Sequence, residues 1–220
     1  MRPEQTAGTI VSTTGVAEVA DVIVLAGGTG ARLDGASKPD VVARGARLLD
    51  HVLAGLERLR EQGLALGRVC VIAPLEVALP GGVLRALEDP PLGGPVAGIA
   101  AGLELLGRRD PVAGLTGILT CDAPFSWRAL PSLHRALAEA GPELDGVCAR
   151  DDEHTQYLLG LYRRRALAAA VAPDGAPLRD TAVRRALGAL HVTAITTTRD
   201  VVRDLDTWAE VRAWDSGRSE

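Results

Sequence analysis

The chain has 220 residues and a formal charge of −4. That size suits one α/β domain, or at most two small ones, and that charge argues against a general nucleic-acid binder, which would be basic. Apolar residues make up 47% of the chain but aromatic residues only 3%, so a sizeable core must be built from Leu, Val, Ile and Ala, and no apolar run reaches the length of a membrane span.

Residues 1–20 are Thr-, Ala- and Gly-rich, lack the apolar block of a signal peptide, and are expected to be a loose leader before a single domain over 21–214. Residues 22–26 have the length and β-branching of a buried strand, and 48–62 carry apolar side chains at helical spacing (Leu49, Val52, Leu53, Leu56, Leu59) up to Gly63. A second strand is expected at 69–73, a helix opened by Gly94-Pro95 at 96–106, and a third strand at 117–121, followed at once by Asp122. Residues 127–140 read as a helix stopped by Gly141-Pro142; strands follow at 147–150 and 157–162, then helices at 163–171 and 181–190, a strand at 192–196 and a closing helix at 207–214.

Strands alternating with helices imply a three-layer α/β/α, Rossmann-like domain with a mostly parallel sheet. Such sheets bind ligands outside the carboxyl ends of their strands. That rule selects the loop after 22–26, the loop after 69–73, and Asp122.

Gly27, Gly28 and Gly30 follow the first strand and let the backbone approach an anion closely. The dinucleotide fingerprint G-x-G-x-x-G fails at Leu33, and the P-loop pattern fails at Ala36, where lysine is required. Of 24 basic residues 23 are arginine, and Lys38 is the one lysine, just beyond this loop. A chain that otherwise uses arginine throughout points to a chemical need for a compact ammonium at this position.

The pattern L-A-G-G-x-G-x-R-x(5)-K-P over residues 25–39 resembles the signature loop of nucleotidyltransferases of the molybdenum cofactor guanylyltransferase type, a branch of the nucleotide-diphosphosugar transferase fold. Further segments follow in the expected order. Gly94-Pro95-Val96-Ala97-Gly98 resembles G-P-L-A-G, Cys121-Asp122-Ala123-Pro124-Phe125 resembles C-D-x-P-F, Gly160-Leu161-Tyr162 resembles an acceptor-side G-L-Y, and Asp204-Leu205-Asp206-Thr207 resembles a closing N-x-N-T.

The resemblance implies transfer of GMP from GTP to molybdopterin, or its molybdenum-loaded form. A phosphate oxygen of the acceptor attacks the α-phosphorus and pyrophosphate leaves. Mg²⁺ is the implied cofactor, and positioning with charge neutralisation supplies the catalysis. Leu25, Ala26, Gly27, Gly28 and Gly30 would hold the guanine and ribose, with Gly94 and Gly98 from the second glycine segment. Related cytidylyltransferases tend to read L-A-A-G, so the double glycine favours guanine. Arg32 and Lys38 would contact the phosphates. Asp122 would hold the metal, or else cap the helix after Pro124. Asp89 would touch the nucleoside, or be a plain loop residue.

Three departures from the pattern stand out. Pro74 occupies a place where the family has an asparagine. Asp204 and Asp206 replace the asparagines of the closing motif; these carboxylates would bind a second metal ion or strengthen the first site, with Asp204 the metal candidate beside Asp122, or equally form a helix N-cap region. The chain contains no asparagine at all, so background drift is a sufficient origin for these changes. Cys70 and Cys121 read as core residues of a reducing, cytoplasmic compartment. Arg163-Arg164-Arg165 reads as a solvated surface run, and the four histidines as structural or surface residues. The expected state is a monomer or weak homo-oligomer in contact with molybdenum-cofactor pathway proteins. Rival readings are transfer of CMP or another nucleotide to a pterin, sugar phosphate or phospholactate, and a non-catalytic nucleotide binder.

Overall fold

The computed structural model of the chain describes residues 18–28, 33–109, 111–151 and 154–217. Its strands are β1 (Ala20–Leu25), β2 (Val42–Ala43), β3 (Ala46–Arg47), β4 (Leu66–Ile72), β5 (Leu84–Ala86), β6 (Leu115–Thr120), β7 (Gly146–Arg150), β8 (Thr155–Arg163) and β9 (Val192–Thr196). The helices are α1 (Leu48–Glu61), α2 (Gly94–Gly107), α3 (Leu130–Glu139), α4 (Arg164–Val171), α5 (Val183–Leu187), α6 (Arg199–Val202) and α7 (Trp208–Asp215).

Seven strands form one sheet in the order β5-β4-β1-β6-β8-β7-β9, and β2 and β3 make a separate hairpin. Only β8 runs against the others, pairing antiparallel with both β6 and β7. The strand alternation sends Val22 and Val24 to one face and Ile23 and Leu25 to the other. On the first face α1 and α3 pack through Leu49, Val52, Leu56, Leu133 and Leu137. On the second, α2, α4 and α5 pack through Val96, Ile99, Leu103, Leu167 and Leu187. The expected three layers are therefore present.

Helix α2 lies close to the sheet because it is glycine-bearing. A Cβ on Gly102 would stand 2.9 Å from Ile23 Cδ1, and one on Gly98 would stand 3.1 Å from Ile72 Cγ2. A third, smaller cluster joins Leu33, Val41, Leu48, Leu205, Val211 and Trp214. It fastens the end of the glycine loop to the closing helix. Leu33, the residue that breaks the dinucleotide fingerprint, is fully buried there.

The structure differs from the sequence reading in several places. β1 begins at Ala20, so the sheet reaches into the expected leader; residues 1–17 lie outside the described residues. The Val42–Arg47 hairpin, β5 and α6 were not expected. Residues 126–129 form a 3-10 turn ahead of α3 rather than its first α-turn. Arg163 and Arg164 are not free surface charges: Arg163 donates to the carbonyls of Leu144 and Gly141 at 2.8 and 2.7 Å, and Arg164 donates to that of Leu103. Among the described residues no helix is long and apolar enough to cross a membrane.

Candidate nucleotide and metal site

At the carboxyl ends of β1 and β4 the chain opens a cleft of about 380 Å³ lined by Leu25, Gly27, Gly28, Ile72, Pro74, Leu87, Glu88, Pro91, Leu92, Gly94, Pro95 and Gly98. β1 is the strand at which the sheet's winding reverses, with β4 on one side and β6 on the other, the usual seat of a ligand in this architecture. Hydrogen bonds from Ala26 N to Ile72 O and from Ala73 N to Ala86 O, at 3.0 and 3.1 Å, carry the ladder to the cleft floor. Arg85 donates to the carbonyls of Pro74 and Val77 and braces the loop after β4. Gly28 has φ 137°, a backbone state that side chains rarely adopt, and a Cβ there would meet no atom of the described residues within 4 Å. The space beside it is open to a ligand.

Five expected nucleotide contacts, Leu25, Gly27, Gly28, Gly94 and Gly98, line this cleft. Ala26 is buried beneath it. Gly30 and Arg32 lie outside the described residues. Asp89 is exposed and is not among the lining residues. The neighbouring Glu88 takes the place expected of it, with Oε1 accepting from Gly93 N at 3.2 Å. Among the described residues Glu88 is the one charged side chain in an otherwise apolar lining. Pro74 extends the apolar wall where the sequence pattern would have placed an amide.

A second pocket of about 480 Å³ opens on the other side of β1, along the ends of β6 and β8; Lys38, Thr120, Asp122, Gln156, Arg184, Asp204 and Asp206 are among its lining residues. Lys38 enters it from a short 3-10 turn, Lys38–Asp40, closed by Pro39 and by a 2.6 Å hydrogen bond from Ser37 to Asp40. Its ammonium donates to Asp122 Oδ2 at 2.9 Å and to Asp206 Oδ1. Lys38, Asp122 and Asp206 retain 20%, 20% and 31% of their side-chain exposure, so water screens the cluster only in part.

Two backbone features assemble these groups. Cys121 N donates to Leu25 O at 2.9 Å and extends β6 by one step, and Leu205 N donates to Asp122 O at 2.9 Å, drawing the closing segment onto the strand end. Thr207, not Asp206, caps α7. Its side chain accepts from Glu210 N, while Glu210 Oε2 accepts from Thr207 N at 2.7 Å and from Asp206 N at 3.0 Å. The Asp206 carboxylate takes no part in that cap and accepts from Lys38. Asp122 does not cap the following turn either, since that turn has no side-chain cap.

Burial works against the Lys38 charge, but its hydrogen bonds to Asp206 and Asp122 outweigh that and hold its pKa above the ordinary lysine range. The Asp204 carboxyl is pushed up to about 7, first by the protein crowded around it and then by the charges of Asp122 and Asp206, with Lys38 opposing. Asp204 as a whole is exposed, so water damps this push and the upward direction is the finding. Burial raises the Cys70 and Cys148 thiols to about 12 and about 11, and Cys121 further still, which removes all three from nucleophilic chemistry.

Among the described residues no group of three His, Cys, Asp or Glu side chains closes on one point. Asp122 and Asp206 nevertheless hold a cation, the Lys38 ammonium, between them. Two hard carboxylates match an ion such as Mg²⁺, which takes few protein ligands and completes its shell with phosphate oxygens and water. Asp204 lines the same pocket without closing on the point the other two share.

The family model of the MobA-like NTP transferase domain matches residues 22–195. A molybdenum cofactor guanylyltransferase of Bradyrhizobium sp. (strain ORS 278) is 32% identical over 140 residues, 64% of this chain and 64% of that relative, so the match spans just under two thirds of its length. The crystal structure of molybdopterin-guanine dinucleotide biosynthesis protein A from Archaeoglobus fulgidus is similar at TM-score 0.64 and 20% identity, over 89% of this chain and 97% of that one. The structure of 4-diphosphocytidyl-2C-methyl-D-erythritol synthase from Anaerococcus prevotii is similar at TM-score 0.66 and 11% identity, over 91% and 96%. The shared architecture is the nucleotide-diphosphosugar transferase fold.

Proposed function

The chain belongs to the MobA-like NTP transferase domain family, and from that membership we propose that it is a nucleotidyltransferase that moves GMP from GTP to the terminal phosphate of molybdopterin or its metal-loaded form. The observation that carries the reading is the Lys38–Asp122–Asp206 cluster at the end of β6, beside a glycine-walled cleft at the end of β1. The cleft takes the nucleoside and the second pocket takes the acceptor.

In this reading an acceptor phosphate oxygen attacks the α-phosphorus in line, the bond from that phosphorus to the β-phosphate's bridging oxygen breaks, and pyrophosphate leaves. The acceptor is already anionic at neutral pH, so no general base is required; the chain's task is to align the reactants and to balance charge. Leu25, Ile72, Pro74 and Leu92 shed water around the base, and Gly28 lets the backbone reach the nucleotide. Glu88 presents a carboxylate to the donor edge of guanine, whose ring N–H and exocyclic amine both point outward. Lys38 moves its ammonium onto the phosphates. Asp122 and Asp206 would hold the divalent cation, taken as Mg²⁺, which would supply neutralisation of triphosphate charge when bound, with Asp204 beside them in the pocket. Among the described residues Arg184 is the only cation besides Lys38 that lines the second pocket, and it offsets the aspartates as an anionic acceptor enters. Three buried cysteines suit a reducing compartment, and the cytoplasm is the expected setting.

Cytidylyl transfer is the second reading, favoured by the likeness to the 4-diphosphocytidyl-2C-methyl-D-erythritol synthase fold. A pyrophosphate-release assay with molybdopterin as acceptor separates the two. GTP is expected to support release at least about tenfold faster than CTP, the discrimination one charged hydrogen bond supplies. Faster release from CTP would transfer the assignment to cytosine, and release from neither would leave a nucleotide-binding protein without this activity.

A further inference from the structure

The Lys38 ammonium sits between the two carboxylates that would hold a divalent cation. It lies 2.9 Å from Asp122 Oδ2 and donates also to Asp206 Oδ1, so both carboxylates are already neutralised in part. An ammonium and a divalent ion compete for these oxygens, because their mutual repulsion is strong where water is scarce. The turn that carries Lys38 is fixed by buried Pro39, by the Ser37–Asp40 hydrogen bond and by the 3.2 Å bond from Val41 N to Lys38 O. The freedom that remains is in the lysine's four-carbon stem. A triphosphate in the neighbouring cleft would offer that stem a more negative partner than the two aspartates.

We propose that Lys38 is a built-in counter-ion that keeps divalent metal off Asp122 and Asp206 until a triphosphate arrives and draws the ammonium away. The idea rests on the nucleotide-binding reading given above, and it adds an order to it: metal enters with the nucleotide and not before. Metal and nucleotide then strengthen each other's binding by the same factor, as linkage requires. Removing the lysine charge removes this competitor and abolishes most of that coupling.

Mn²⁺ binding to the full chain, followed by electron paramagnetic resonance, tests this without any turnover. In the absence of nucleotide, Lys38→Met is expected to bind Mn²⁺ at least about tenfold more tightly than the wild type. GTP is expected to tighten Mn²⁺ binding to the wild type about tenfold or more, and to change that of Lys38→Met far less. Lys38→Gln replaces Lys38→Met if the thioether variant loses its thermal unfolding transition. Adding Asp122→Asn to either variant should cancel the gain, which locates the ion. Equal Mn²⁺ affinity in the folded wild type and the folded charge-free variant overturns the proposal. The first comparison contains neither GTP nor acceptor, so a failure of guanylyl transfer would not produce that result.

Discussion

Lys38 and Asp122 stand 84 residues apart in sequence and 2.9 Å apart in space. One side chain follows the glycine loop after β1, and the other ends β6, the strand hydrogen-bonded alongside β1. Parallel pairing brings their carboxyl ends together, and the charges meet there. If the ammonium meets developing charge on the phosphates, Lys38→Ala lowers kcat by about 100-fold or more, as loss of a transition-state donor does. Steady-state turnover at saturating GTP and metal checks this; a wild-type kcat removes Lys38 from the mechanism.

Asp122→Asn keeps the shape of the side chain and removes its charge. Metal-dependent transfer is expected to fall by about 100-fold or more. The fold is expected to persist, because Lys38 retains Asp206 and the Asp122 carbonyl still accepts from Leu205 N. Thermal unfolding run beside the rate assay separates lost chemistry from lost structure.

Glu88→Gln tests base recognition. A carboxylate in an apolar cleft can accept two hydrogen bonds from guanine, whereas an amide accepts on one side only. The Kd for GTP is expected to rise about tenfold to a hundredfold, the range for a hydrogen bond to a charged group, while weak binding of CTP stays unchanged. An equal loss for both nucleotides would show that Glu88 shapes the loop and does not read the base.

Arg184→Ala tests the acceptor side. KM for the acceptor is expected to rise by about tenfold, with the Kd for GTP unaltered, because Arg184 lines the second pocket and not the first. An unchanged acceptor KM would remove Arg184 from substrate binding.

Asp204 predicts a dependence of stability on pH. Its folded pKa, about 7, is raised above the ordinary carboxyl value of 3.8, so between those values the folded chain binds the proton more strongly than the unfolded chain. Stability from this group is therefore fully present below the lower value and is lost as pH rises through about 7. Asp204→Asn removes the loss, and its Tm relative to wild type is expected to be more favourable at pH 8 than at pH 5. A difference in Tm that is the same at both pH values contradicts the shift.

Much of this site is legible in the sequence because its signals are local. A β-branched run ending in glycines, and an apolar strand ending in Asp122, each mark a strand's carboxyl end without any knowledge of the partner strand. The residues that were misplaced depend on the course of the chain in space. Whether Glu88 or Asp89 faces the cleft is decided by the turn of the loop between β5 and α2, and adjacent residues point in different directions. β5, with three residues, is too short to show a period. Arg184 joins the second pocket only because α5 packs beside β8, a tertiary contact with no local mark.

Two features were readable and were passed over. Thr207-Trp208-Ala209-Glu210 is a capping-box sequence, which assigns the cap to Thr207 and not to Asp206. Four residues separate β7 from β8, too few for the crossover a parallel pair needs, so the reversed direction of β8 follows from the spacing alone.

The most direct test is the fate of the α-phosphorus. With GTP radiolabelled at the α-phosphate, Mg²⁺ and molybdopterin, the label is expected to enter the acceptor product with one pyrophosphate released per transfer, and label placed at the γ-phosphate is expected to leave entirely with pyrophosphate. Label from the γ-phosphate in the acceptor, or α-label that stays with the guanosine nucleotide pool while phosphate is released, would contradict nucleotidyl transfer by this site.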